Sequence, residues 1–405
     1  MREQRGSEPM ARPGATRAEP GAPRRPAAGR MRPSPRRKGP RSRRRRRTRL
    51  WHGLLVLALA LCLGGGLVAA VPPWRDAALT SALLITGEIG APTDLPTVTL
   101  CRTERPGLHA RSARRLSVPR GRVIAGTLAG AALRGVRRPY LIYLPPGYDL
   151  PLFRHHRYPV VYALHGAPGQ ARDWYQGGAL NVVADRLIAA CRIAPLILVM
   201  PDGNGGLGRD SEYINRPDGS EGDDTYVTRD VVAFVDRHFR TLPERRARAL
   251  LGLSEGGYGA VNLLLRHPDR FAAAVAIAGY YTADPRNALH GDNPFGHDRC
   301  ALAANDPTLR VAALPARARH QLHIFLYDGA DDSEFGPRTR AFARVLARNG
   351  VPYRWEDRVL APLPGVVQGF WRYHNWVYWR ASARDALIHL SALFADGSAG
   401  RAGGA

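Results

Sequence analysis

Beyond residue 121 the chain falls into a regular alternation. Short apolar runs recur at 123–128, 140–144, 159–164, 196–200, 249–253, 273–277 and 322–326, and helical spacing fills the stretches between them. The runs PVVYAL at 159–164 and LILVM at 196–200 are apolar throughout, as strands covered on both faces must be. Pro145, Pro146 and Gly147 mark a turn after the second run. Helices are predicted at 180–190, 226–239, 256–266, 337–349 and 382–394. Strands alternating with helices predict an α/β domain, a mostly parallel central sheet with helices on both faces. No repeat of the roughly 20–50-residue period typical of solenoids is visible.

The first 121 residues read differently. Residues 1–49 are rich in Arg, Pro, Gly and Ala without apolar periodicity, and are expected to be a disordered cytoplasmic tail. That tail accounts for much of the formal charge of +25 on 405 residues: about 18 basic and about 3 acidic residues fall in the first 50, about +15 in all. The basicity is therefore a local property, and nucleic acid is not an expected partner. Residues 50–71 carry no formal charge and, at about 22 residues, reach roughly 33 Å. Arg43–Arg47 stand directly before them, which keeps the N-terminus inside. The run is expected to be a transmembrane signal anchor, with the alternative of a signal peptide cleaved near Ala70 and a secreted product. Residues 72–121 read as a spacer, 122–397 as the catalytic domain, and 398–405 as a disordered C-terminus.

Four cysteines, Cys62, Cys101, Cys191 and Cys300, show no zinc-like spacing. Three lie past the apolar run, where an exported domain permits one disulfide and leaves one thiol over; the pairing is open among them.

The chemistry is concentrated at three places. Gly252 and Gly256 flank Ser254 in a G-x-S-x-G pattern between an apolar strand and a helix, the arrangement of a nucleophile elbow. A serine nucleophile needs a base, and the base an orienting acid, here in the chain order Ser, acid, His. The strand at 322–326 runs into Asp328, Asp331 and Asp332, of which Asp332 is the expected acid and Asp331 the alternative. His374, ahead of the last helix, is the expected base; His290, His297 and His320 precede the acid and are out of order. The oxyanion hole requires two N–H donors, expected from the backbone of Glu255 and of Ala167, since Pro168 has none. His165 at the start of that loop is expected to be structural.

His165, Gly166, Ala167, Pro168 and Gly169, with Asp173 and Trp174 beyond them, resemble the esterase D group when taken with Met200–Gly203, Gly252–Ala260, and His374, Asn375, Trp376 and Trp379. That group includes S-formylglutathione hydrolases, feruloyl and enterochelin esterases, and trehalose mycolyltransferases. The resemblance spans about 122–394 and implies an α/β-hydrolase fold and an acyl-enzyme formed by a Ser–Asp/Glu–His triad. Two departures stand out. The group often has Met after the nucleophile where this chain has Glu255, a carboxylate that either disfavours anionic substrates or points away into solvent. Arg372 and Tyr373 replace the common Gly-Gly before the histidine, and 360–368 resembles an insertion. The loop at 202–224 is read as a surface loop bordering the site, since its acidic residues miss the EF-hand spacing. Trp376 is expected to help position the His374 loop.

The expected function is an extracytoplasmic serine carboxylesterase acting on a small-molecule ester, without cofactor or metal. One alternative is an acyltransferase of the mycolyltransferase kind, delivering the acyl group to a sugar or glycolipid acceptor. The other is an inactive hydrolase fold that binds the cell envelope. The membrane is an expected partner through 50–71.

Overall fold

The computed structural model describes residues 97–100, 116–206, 209–287, 293–359 and 372–399. Eight strands form one sheet: β3 (Arg122–Ala129), β4 (Arg137–Leu144), β5 (Val160–Leu164), β6 (Ile197–Pro201), β7 (Arg248–Leu253), β8 (Ala273–Ile277), β9 (His323–Gly329) and β10 (Tyr353–Arg358). Their order is β10-β9-β8-β7-β5-β6-β4-β3. Every pairing from β10 to β6 is parallel, and only β4 and β3 run antiparallel to their neighbours. This is the α/β-hydrolase fold with its mostly parallel sheet. Two further strands, β1 (Thr97–Leu100) and β2 (Leu116–Pro119), pair antiparallel within the stretch read as a spacer, and Val98, Leu100 and Val118 are buried.

The fully apolar runs explain themselves once both faces are examined. Along β5, Val160, Tyr162 and Leu164 enter one apolar core, while Val161 and Ala163 enter the other. In β6, Ile197 and Val199 divide from Leu198 and Met200 in the same way. A strand with period-two geometry can be apolar at every position only if both faces are covered. The first core is roofed by α2 (Val232–His238), α3 (Glu255–Arg266) and α4 (Phe335–Arg348), the second by α1 (Leu180–Ala189) and α5 (Trp376–Ala399). Each buried Leu, Ile or Val contributes about 1.5–3 kcal/mol.

Two elements depart from the pattern read along the chain. Strand β10, with sequence YRWEDR, lies at the edge of the sheet and pairs only with β9. An edge strand tolerates charge, so it carried no apolar signal. Helix α5 starts at Trp376, six residues ahead of its expected start.

The expected single-pass membrane placement is corrected. Among the described residues no helix is long and apolar enough to cross a membrane. The 24-residue α5 has the length but carries Arg380, Arg384, Asp385 and Asp396. The apolar run 50–71, the tail 1–49 and the insertion-like 360–368 lie outside the described residues. Cys191 is disulfide-bonded, while Cys300 is the exposed free thiol.

Candidate active site

Ser254 stands where β7 ends and α3 begins, at φ 53° and ψ −121°. A side-chain-bearing residue in such a region costs of order 1–3 kcal/mol, and its surroundings hold it there. The Ser254 N–H donates to the Ile277 carbonyl at the end of β8 (2.9 Å), and its own carbonyl accepts from the Gly257 and Tyr258 amides (2.9 and 3.1 Å). The two flanking glycines are steric requirements. A Cβ on Gly252 would lie 1.9 Å from the Gly256 carbonyl oxygen, and one on Gly256 would lie 2.3 Å from that of His165. The hydroxyl is thereby lifted off the sheet edge on a turn too tight for any other residue at these two places.

The loop after β5 lies against this turn: a Cβ on Gly166 would sit 3.2 Å from the Ser254 Cβ. Ala167, half-buried, precedes a cis bond to Pro168. His165 is a brace. Its Nε2 faces the Gly203 N–H (3.0 Å), which can only donate, so the proton sits on Nδ1 and is donated to the Gly166 carbonyl (2.9 Å). The Trp174 indole donates to the Leu164 carbonyl (2.8 Å) and anchors the same loop.

The three aspartates after β9 separate cleanly. Asp328 is buried, accepts from the Trp355 indole (3.0 Å), and is pushed up to about 6 by burial. Asp331 is exposed and engaged by Arg372 and the Tyr373 hydroxyl. Asp332 is buried; its Oδ1 accepts from the Glu334 and Phe335 amides (2.8 and 2.9 Å), while Oδ2 is buried with no hydrogen bond. Burial raises its pKa against the pull of those two amides.

His374 is buried between two rings. Phe335 stacks on it at 5.0 Å and 8°, and Trp379 meets it edge-on at 4.9 Å and 84°. Burial lowers its pKa to about 3, so the resting imidazole is neutral. Phe335 is therefore common to both groups: its N–H holds Asp332 and its ring flattens His374. Neither periodicity nor motif singled it out, although its place three residues after an aspartate at a helix start is a readable signal. Trp376 packs between Trp174 (5.6 Å) and Trp379 (5.0 Å), which places it behind the His374 turn.

Glu255 does not point into solvent, and the part of the 202–224 loop that meets it is buried, while 215–220 stay largely at the surface. Asp202, Asn204, Asp210, Ser211, Glu212 and Tyr213 are all buried. Asn204 Nδ2 donates to Glu255 Oε2 (2.9 Å) and the Glu212 N–H to Oε1 (3.1 Å). The Tyr280 hydroxyl donates to Glu212 Oε1 (2.7 Å). Burial, reinforced by Asp210, holds both Glu212 and Glu255 well above the usual carboxylate range. Among the described residues no group of His, Cys, Asp or Glu is arranged to hold a metal ion.

Residues 132–390 match the model of the family described as "Putative esterase". An esterase of Mycobacterium tuberculosis is 32% identical over 48% of this chain and 46% of its own length. The chain thus spans less than half the length of that relative. Two solved structures share the fold. A ferulic acid esterase superposes with TM-score 0.58 at 24% identity, over 68% of this chain and 99% of that one. An S-formylglutathione hydrolase from Agrobacterium tumefaciens gives 0.54 at 20%, over 68% and 96%.

Proposed function

The chain belongs to the esterase family, whose model covers well over half of it, and from that premise we propose that it is a serine carboxylic ester hydrolase working through an acyl-enzyme on Ser254. The observation that carries this reading is the backbone of Ser254, held in a left-handed conformation by two glycines that no other residue can replace. A strained serine at a strand-to-helix turn is a costly feature with an evident chemical use.

His374 Nε2 takes the proton as the Ser254 hydroxyl oxygen bonds to the ester carbonyl carbon. The carbonyl electrons move onto oxygen, and the N–H groups of Glu255 and Ala167 receive that negative charge. Collapse breaks the bond to the alcohol, which leaves with the proton from His374. Water then attacks the acyl-enzyme with His374 again as base, freeing the acid and Ser254. Asp332, whose Oδ2 is buried without a hydrogen bond in the resting structure, is assigned to accept from Nδ1–H as the imidazolium forms and to stabilise the charge that burial otherwise disfavours. What favours Asp332 over Asp331 is hydrogen bonding: Asp332 spends one oxygen on two amides and keeps the other buried and unbonded. Asp331 is committed to Arg372 and Tyr373 at the surface.

The test is turnover of short p-nitrophenyl esters by the full chain, beside Ser254→Ala and His374→Ala. Each variant is expected to lose at least about 10³-fold in kcat while keeping its circular dichroism spectrum. Turnover that survives Ser254→Ala would sink the reading.

A further inference from the structure

The side chain of Glu255 has no part in the mechanism above, although its backbone N–H does. Its surroundings assign it one. The carboxyl is tethered at both oxygens to a single segment of chain, by Asn204 at Oε2 and by the Glu212 N–H at Oε1. Asp210 and Glu212, both buried close by, join burial in raising the Glu255 pKa well above the usual carboxylate range.

The same segment reaches the other half of the oxyanion hole. The Tyr213 hydroxyl donates to the His165 carbonyl (2.7 Å) and the Gly203 N–H to His165 Nε2 (3.0 Å), both on the residue two before Ala167. Ser211 closes the segment on itself, its hydroxyl donating to the Gly203 carbonyl (3.0 Å) and to Asn204 Oδ1 (2.8 Å). Glu212 and Tyr213 both adopt positive φ, 49° and 52°. Two successive side-chain-bearing residues do not rest there unaided. Capture of the Glu212 N–H by Glu255 supplies one of the bonds that hold them.

We propose that the Glu255 side chain is a positioning residue, a hydrogen-bonded latch through which Asn204 and Ser211–Tyr213 fix the spacing between the two oxyanion donors, the N–H groups of Glu255 and Ala167. This rests on Ser254 being the nucleophile. A latch of this kind acts on the oxyanion and not on the ester as first bound, so its loss falls on kcat and leaves KM in place. Both of its oxygens accept, so glutamine, with a single acceptor oxygen, keeps one of the two tethers and alanine keeps neither.

The experiment measures kcat and KM of the full chain on p-nitrophenyl butyrate, and the inhibition constant of an alkyl trifluoromethyl ketone, which forms a tetrahedral oxyanion on a serine. Glu255→Ala is expected to lower kcat about 10²-fold with KM within about twofold, and to weaken the ketone by a similar factor. Glu255→Gln, which keeps one of the two tethers, is expected to recover part of both losses. The proposal is overturned if Glu255→Ala stays within about twofold of the parent in kcat, if only KM moves, or if Glu255→Gln is as impaired as alanine. Should Glu255→Ala fail to fold, Asn204→Ala removes one tether from the far side. A loss of about tenfold in kcat with parallel weakening of the ketone supports the latch, and an unchanged kcat overturns it. Ser254→Ala, run alongside, reports on the nucleophile by itself: turnover surviving there removes the premise, whereas the Glu255 results are read only on a chain whose activity depends on Ser254.

Discussion

Two buried carboxylates, Asp332 and Glu255, enter the proposed mechanism and its support, and they are satisfied in different ways. Asp332 is held by backbone amides, both on one oxygen, which leaves the second oxygen buried and open. Glu255 is held by a side-chain amide on one oxygen and a backbone amide on the other, so both oxygens are engaged. Burial raises the pKa of both. For Asp332 two backbone amides are the next largest influence and oppose that rise, with Glu334 and Asp331 adding to it more weakly; for Glu255 the neighbouring acids Asp210 and Glu212 come next and reinforce it, with Asn204 opposing. Burial alone therefore does not tell a catalytic acid from a structural one. The donors do: amides that favour the charged form prepare a carboxylate to meet an imidazolium, and a carboxyl neighbour prepares it to stay neutral.

The sharpest way to break this contrast is Asp332→Asn. It keeps the shape and the two amide contacts at Oδ1 but removes the charge, and kcat is expected to fall about 10²–10⁴-fold with KM little changed. A loss below about fivefold would return the acid to Asp331 and erase the distinction between the two carboxylates.

A smaller effect separates the two by pH. Glu212 and Glu255 are held well above the unfolded value of about 4.3. Their contribution to stability is complete below that value and is lost as pH rises through the folded one. Glu212 faces Asp210, Glu255 and the Tyr280 hydroxyl, with Asp284 farther off. Glu212→Gln keeps an acceptor for Tyr280 and does not titrate. Its melting temperature is therefore expected to match the parent at pH 5 and to exceed it increasingly toward pH 9, by roughly 2–4 °C for each kcal/mol of difference. A constant offset across that range would mean that Glu212 does not change protonation on folding. On the acid side the sign is reversed for His374. It is held at about 3, so the unfolded chain takes the proton first, and stability drains as pH falls below about 6.5.

The Ser254 turn was legible in the chain because its signature is local. A strand, two glycines around a serine and a helix follow one another between 248 and 266, and the pattern is readable from that stretch alone. The strands covered on both faces were legible for the same reason, since period and length suffice. Strand β10 was not, because an edge position removes the apolar demand that makes a strand visible. The inward turn of the 202–224 loop was hidden for a different reason. Asp, Glu, Asn and Ser are the residues of exposed loops, and their burial here rests on bonds to residues far along the chain, such as Asn204 to Glu255 and Tyr280 to Glu212. Composition carries no sign of such pairings. Phe335 was missed because its two roles, an N–H for the acid and a ring for the base, join positions 332 and 374 only after folding.

The smallest effect expected is that of Asp331→Asn, next door to the proposed acid. Asp331 is exposed, and the Tyr373 hydroxyl, together with Arg372, holds its pKa below the usual range. Its stabilising contribution is present above the unfolded value of about 3.9 and fades as pH falls through the folded one, so it is intact at neutral pH. An exposed pair is screened by water and salt, and Tyr373 does not depend on it, being buried against Tyr378 and packed over Gly329. The backbone leading into His374 is thus fixed from inside, and Asp331 clamps it only from outside. Asparagine keeps an acceptor oxygen for Arg372 and turns an NH2 to the Tyr373 hydroxyl, which can accept in its turn. Activity on p-nitrophenyl esters is expected to stay within about threefold of the parent, set against the hundredfold or greater loss for Asp332→Asn one residue on. If the two variants lost activity equally, the outer clamp would be part of what aligns the base, and the division between a surface aspartate and a working one would fail.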